Sequence, residues 1–449
     1  MLDRAVMSAL QRRRELYHRT SDMIWEFAEV RYREEKSCRY LCGVMEELGF
    51  TVTSDLGGLP TAFLAEWRQG DGPVIGFLGE YDALPGLGQA ADATERQPLE
   101  EGAPGHGCGH NLLGTAALAA ATAMKEVMEG QGLSGTVRFY GCPAEEGGAG
   151  KVFLLRAGAF EGLDACFSWH PFDFNSCSYT TLANLRAFFT FKGVSAHAAA
   201  APQLGRSALS AVELMNTGVN YLREHLPPEG RVHAAITDAG GSAANIIQPH
   251  AQVLYSIRAP RAAQTREMYR RICKVAEGAA LMTETEMTVE IASAYANLLE
   301  NPVMAELLRR RLEEVLPLEL TEEERAYVRG FMAEAADEAT PIPGGIEPAG
   351  AIPISTDAGD VSWVVPTAAL GVACYPRGTA LHTWQVTAQG KGSPAKKGME
   401  AAAYTMAAAA LDLLREPERL AAAKTAQERA RDGEVYQTMQ PEDAVPGSF

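Results

Sequence analysis

Four short apolar runs in this 449-residue chain stop at side chains that bind metals or move protons. GPVIGFLG precedes Glu80 and Asp82, GTVRFYGC precedes Glu145 and Glu146, LDACFSW ends at His170, and AALGVACY is followed shortly by His382. Each run has strand length and is apolar on both faces, as central strands of a largely parallel sheet are. Open α/β sheets place their chemistry at the carboxyl ends of their strands, so acids and histidines delivered there by four runs predict one shared site. The fold class that follows is α/β, a mixed, largely parallel sheet with flanking helices.

From about residue 184 to 294 the rhythm changes to strand, helix, two strands, helix, strand: LRAFFTFKG, GRSALSAVELMNTGVNYLREHL, RVHAAITDAG, AQVLYSIRAP, AAQTREMYRRICKVAEGAALMT and EMTVEIASAY. That order is the split βαββαβ unit, which closes on itself. Because His382 lies beyond it, the first domain must resume afterwards. Residues 1–183 and 295–449 are therefore expected to form the catalytic domain and 184–294 an inserted ferredoxin-like one, in keeping with a chain too long for one comfortable core. Residues 5–48 read as helices, TVTSDLGGLPTAFLAEW as hairpin-like strands, 90–105 as a polar loop, and 321–339 as a capped amphipathic helix. The stretch from about 415 reads as a charged surface helix with a mobile end.

A formal net charge of −17 argues against nucleic acid and anionic membranes as partners, and no basic patch offsets it. The N-terminus lacks an apolar core followed by a small-residue cleavage site, so a cytoplasmic location is expected. Leu112 to Met124, the longest apolar stretch, is too short to cross a bilayer and reads as a buried helix. Eight scattered cysteines are expected to be reduced, with Cys38 and Cys42, at helical spacing, packed in the core.

GAPGHGCGHNLLG, residues 102–114, carries the densest chemistry. Cys108 and His110 are two apart and cannot share a helix face, so they must sit on a turn. Gly107 and Gly109 permit that turn, and Asn111 is suited to cap the helix from Leu112 onward. Glu146, His170 and His382 complete a set of five donors. Five are too many for one open four-coordinate ion and few for two closed ones, which suits two ions sharing a bridging ligand and a bridging water. Neighbours at a strand end point in opposite directions, so Glu146 is expected to bind metal while Glu145 faces the water as general base. On the inserted unit, Arg258 and Asn245, expected on paired strands, could grip a substrate carboxylate, with Arg206 at a helix start a weaker candidate. His18, His225, His233 and His250 have no companion motif and read as solvated or core residues.

Taken together, LGEYDALPGL, GHGCGHNLLGTAA, RFYGCPAEEGG, SWHP, SAHAA, GRSAL, IRAP, DVSW and LHTWQ resemble the di-metal aminoacylase and carboxypeptidase family, most closely its amidohydrolase branch. The likeness spans about residue 20 to about 410. It implies a zinc-exopeptidase-like catalytic domain with an inserted lid that commonly mediates dimerisation, the same five ligands, and Glu145 as base. It further implies that Asp82 orients a metal-binding histidine, that His106 flanks the site without binding, and that His197 reaches into a site, often the partner's, to stabilise an oxyanion or hold substrate. Glu80-Tyr81-Asp82 and Cys108-Gly109-His110-Asn111 depart from the His-x-Asp motif and bridging aspartate of many relatives. This places the chain in the cysteine-bearing branch, where two ions of Zn or Mn are expected and the bridging ligand stays open.

The activity implied is hydrolysis of the amide bond of an N-acyl or N-aroyl amino acid, a small anionic substrate with p-aminobenzoyl-glutamate in the lead, by a homodimer or with a related A-type subunit. Alternatives are a cytosolic dipeptidase of the same fold, an amidase using Cys108 as nucleophile, and a silent scaffold subunit.

Overall fold

The computed structural model describes residues 2–332 and 341–447, and its chain divides into two compact units. The first comprises Met1–Thr180, Leu299–Ala351 and Asp360–Tyr436. Three helices, α1 (Arg4–Arg12), α2 (Arg14–Phe27) and α3 (Glu35–Glu47), lead into the antiparallel pair β1 (Thr51–Ser54) and β2 (Phe63–Gln69). Then follow β3 (Val74–Glu80), α4 (His110–Gln131), β4 (Gly135–Cys142) and β5 (Ala165–Phe172). The strand Thr367–Ala373 joins them in an eight-stranded sheet of order β1, β2, β4, β3, β5, Thr367–Ala373, then two-residue strands at Asn175–Ser176 and Ile346–Glu347. β3, β4, β5 and Thr367–Ala373 run parallel to their neighbours in this block, and β2 pairs antiparallel with β4. The fold is thus mixed and largely parallel, and the ends of its central strands point to one edge.

Helix α4 is buried from His110 to Met124, which accounts for its uniformly apolar and small side chains. It lies between β3 and the equally buried helix Ser393–Arg415. The approach to β3 is close enough that a Cβ on Gly114 would stand 2.5 Å from the Glu80 carbonyl oxygen, so only glycine fits there. Asn111 does not cap this helix. The helix starts one residue earlier, at His110, with Gly109 in the left-handed conformation as N-cap, and the Asn111 amide instead donates to Ser21 Oγ and the Gly390 carbonyl. A buried Asn with two distant acceptors gains more from them than from a local cap that the backbone turn already closes.

The second unit comprises Thr181–Leu298, Ile352–Gly359 and Gln437–Phe449. Its antiparallel sheet has the order Glu286–Tyr295, Ala183–Lys192, His250–Ala259, Arg231–Asp238, with helices Ala208–Leu222 and Ala262–Thr283 packed against it. Leu185, Ala187, Phe189 and Phe191 alternate with more accessible residues along the second strand, as expected of a sheet with one covered face. The capped helix expected at 321–339 opens with the Thr321/Glu324 capping box and runs Glu322–Arg329; residues 333–339 lie outside the described residues. The charged C-terminal stretch forms the helix Pro417–Arg431. Among the described residues no helix is long and apolar enough to cross a membrane.

Candidate metal centre

Asp82, two residues past the end of β3, holds the centre together. Its Oδ1 lies 2.9 Å from His110 Nδ1, and its Oδ2 accepts from the Glu146 amide at 2.8 Å. With Nδ1–H committed to the carboxylate, His110 turns its Nε2 lone pair inward. That nitrogen is wholly buried and, among the described residues, has no hydrogen-bond partner. It faces Glu80 Oε2 at 3.4 Å and Glu145 Oε2 at 4.0 Å. Cys108 Sγ lies 3.3 Å from His170 Nε2, whose other nitrogen donates to the Pro171 carbonyl at 2.8 Å and whose ring stacks on Phe172. Glu146 Oε1 lies 3.4 Å from His382 Nε2 and likewise has no hydrogen-bond partner.

Three overlapping donor sets result: Cys108, His110 and His170; Cys108, Glu146 and His382; and Glu80, His110 and Glu145, with the donor atoms of each set within 4.8 Å of one another. Cys108 belongs to two sets and His110 to two. Thiolate, imidazole and carboxylate are the donors that Zn-like ions accept, and the orphaned Nε2 of His110 gives such an ion a point of attachment.

Electrostatics agree with that fit. Burial pushes the His170 imidazole down to about 4, so it is neutral at pH 7 with a free lone pair. Burial opposes ionisation of Glu146, but His382 and His110 beside it outweigh burial and hold the carboxyl down at about 2. Burial would also lower His110; Cys108 and Asp82 override it and raise the imidazole. Burial and Glu146 push the Cys108 thiol up. A cluster of carboxylates and a thiol that draws protons onto its neighbours is a cluster short of positive charge, the deficit a divalent cation fills.

The local backbone departs from the expected strand end. Glu145 and Glu146 do not alternate on a pleat. β4 stops at Cys142, Ala144 takes the left-handed conformation at φ 59°, and Glu145–Gly148 forms one distorted turn with Glu146 at φ −68°, ψ 68°. The turn, not the pleat, sends Glu145 toward His110 and Glu146 toward His382. His382 is itself left-handed at φ 61°. Left-handed non-glycine residues carry strain, and here they cluster where donors must converge. His106 turns its Nε2 to the Ile24 carbonyl at 2.9 Å and stands in none of the three donor sets.

Glu34, unremarked in the sequence, supports this turn. Fully buried, it accepts from the Ala144 amide at 2.8 Å and from Thr61 Oγ1 at 3.1 Å. Burial, with the Asp82 charge behind it, raises its carboxyl from 4.5 to about 8. Between these values the folded chain keeps a proton the unfolded chain has lost, so stability falls as pH rises, by about 1.4 kcal/mol per unit. Glu34→Gln is expected to flatten the melting-temperature profile between about pH 5 and pH 8 and to exceed the parent's melting temperature above that window. An unchanged slope would contradict the assignment.

The remaining candidates lie in the second unit. Arg258, on the strand His250–Ala259, donates to Ser355 Oγ at 3.1 Å. Arg206, just before the helix Ala208–Leu222, is tied to Glu284 at 2.8 Å and to the carbonyls of Gln203 and Gly205. Asn245 is not on a strand: it is exposed in the loop between Asp238 and His250, outside both segments whose pattern marks them as strands. His197 is exposed, and its Nδ1 accepts from the amides of Ala199 and Ala200.

Comparison with known proteins bears on this arrangement. The sequence pattern of Peptidase family M20/M25/M40 matches residues 76–385. Over 473 aligned residues the chain is 41% identical to the B-type subunit of p-aminobenzoyl-glutamate hydrolase from Escherichia coli (strain K12), covering 99% of this chain and 98% of that one. It is 31% identical to the Xaa-Arg dipeptidase of Mus musculus, covering 88% of this chain and 85% of the relative. A Bacillus subtilis structure described as a dinuclear metal binding peptidase from the M20 family matches with a TM-score of 0.56 at 18% identity, over 89% of this chain and 99% of that chain.

Proposed function

The chain belongs to peptidase family M20/M25/M40, as a metal-dependent amidohydrolase, and from that premise we propose that it cleaves N-acyl or N-aroyl amino acids, p-aminobenzoyl-glutamate first among them. The observation that carries this reading is the convergence of three donor sets, linked in pairs by Cys108 and His110, one of which includes the Glu145 carboxylate. Cys108, His110, Glu146, His170 and His382 would hold two divalent ions, zinc or manganese. Such ions supply Lewis-acid polarisation of the scissile carbonyl and lower the pKa of an attacking water.

The chain's own residues do the rest. Glu145 takes the proton from the attacking water and hands it to the leaving amine. Asp82 fixes the His110 tautomer and, through the Glu146 amide, the turn that carries both glutamates. His197 donates to the oxyanion as the 184–294 unit acts as a lid, and Arg258 grips the substrate carboxylate in bidentate fashion. Asn245 is a second polar contact to the same group. Arg206, already held by Glu284, has the least to offer. The same inserted unit forms a homodimer contact. The E. coli relative is named as the B-type member of its enzyme, which supports a related A-type partner. The free state of all eight cysteines supports a reducing, cytoplasmic setting.

A dipeptidase is the second reading, favoured by the likeness to the mouse Xaa-Arg enzyme. Purified protein assayed with Mn or Zn on N-aroyl-glutamates and on dipeptides separates the two. Hydrolysis of p-aminobenzoyl-glutamate at least about tenfold more efficient than that of any dipeptide, a difference of about 1.4 kcal/mol in transition-state binding, is expected. The reverse ranking would replace the first reading with the second. Chelation with EDTA is expected to abolish turnover. Activity that survives EDTA and dies on thiol alkylation would point to Cys108 as nucleophile and overturn both.

A further inference from the structure

Lys151 is buried without trace of exposure, and its Nζ lies 2.6 Å from Glu80 Oε1, itself on a side chain only 4% exposed. Burying an ammonium and a carboxylate together costs several kcal/mol of desolvation, and apolar residues of similar volume often replace such pairs without loss. A pair like this therefore calls for a reason other than stability. Its position supplies one. Lys151 stands at the second residue of the short helix Gly150–Arg156, directly after the turn that carries Glu145 and Glu146. Glu80 is the last residue of β3. One ion pair thus pins the glutamate turn to the strand end. It also fixes which Glu80 oxygen stays available: with Oε1 on Lys151, Oε2 faces His110 Nε2 at 3.4 Å, the buried nitrogen that has no hydrogen-bond partner. Bonds of about 2.1 Å at the tetrahedral angle set two donors of one cation about 3.4 Å apart.

We propose that Lys151 is a positioning residue of the metal centre, clamping Glu80 so that its second oxygen serves as a sixth donor on the His110 side. The inference rests on the two-ion reading above and extends its donor set to a carboxylate absent from the expected five. The ammonium charge also offsets one of the carboxylates gathered there, which lets four acids share a small volume.

The test is metal binding by the purified full chain, read as ions per chain by elemental analysis and as affinity by Mn2+ titration. The parent is expected to hold two ions. Glu80→Gln and Lys151→Met are each expected to keep one ion and to bind the second about 10–100-fold more weakly. Lys151→Arg, which keeps the charge, is expected to recover part of that loss. The double variant E80Q/K151M removes both charges of the pair together, so it is expected to fold as the parent does while showing the same weakened ion. If E80Q and E80Q/K151M bind two ions with the parent's affinity, the pair is structural only and the inference falls while the two-ion reading stands. If the parent binds no divalent ion, the two-ion reading falls and takes this inference with it.

Discussion

Glu145→Gln is expected to lower kcat by about 10²–10⁴-fold while the protein keeps its full metal content. The amide has the shape of the carboxylate but cannot accept a proton, so the substitution removes the base. Glu145 Oε2 stands 4.0 Å from His110 Nε2, inside the cluster, whereas the Glu146 carboxylate is turned to His382. Glu146→Gln, by contrast, is expected to lose metal and activity together. Measuring kcat and bound metal on both variants assigns the two neighbours to different tasks. Loss of metal from Glu145→Gln with no other defect would make Glu145 a ligand and leave the water without its base.

The largest effect on stability is expected far from the chemistry. Asp412, in the helix Ser393–Arg415, is buried and takes both Nε and Nη2 of Arg311, at 2.9 and 2.5 Å, with Arg310 a third donor at 2.7 Å. Arg311, in the helix Pro302–Leu312, is itself only 8% exposed. Asp412→Ala removes the bidentate partner of that buried guanidinium, which keeps its contact to Glu314 at 3.1 Å. Removing one partner of a buried pair costs about 3–5 kcal/mol. Urea unfolding of the first unit should show a loss of that size with an unchanged m-value. A change below about 1 kcal/mol would mean that the helices hold together through apolar packing alone.

The central strands were legible in the sequence because a buried parallel strand has nowhere to place a polar residue until it ends. GPVIGFLG and GTVRFYGC stop at or beside the last residues of β3 and β4. The split βαββαβ order was legible for a related reason, since the alternation of Leu185, Ala187, Phe189 and Phe191 has the period of a half-covered strand. Convergence of Cys108, His110, Glu146, His170 and His382 followed from the strand ends and from the family motifs together.

What escaped depends on contacts far apart in the chain or on backbone that composition does not announce. Asn111 has the chemistry of a cap, yet its partners, Ser21 and Gly390, are 90 and 279 positions away. Ala144 adopts left-handed angles that its residue type does not favour, so the turn separating Glu145 from Glu146 carries no local signature. Glu34 reads as one more acid in a helical, charged stretch; only the fold brings it under the Ala144 amide. Lys151 looks like a surface lysine until Glu80 arrives from the neighbouring strand.

The first unit is completed only by chain that follows the long segment Thr181–Leu298 of the second, and this orders events at the ribosome. Cys108, His110, Glu146 and His170 emerge early, but His382 is translated after the long segment Thr181–Leu298. At about 5–20 residues per second the interval is on the order of tens of seconds. A nascent chain therefore holds a partial cage, with its thiol and imidazoles at hand, well before it can close the Glu146 side. The set formed by Cys108, Glu146 and His382 is thereby assembled only late in synthesis.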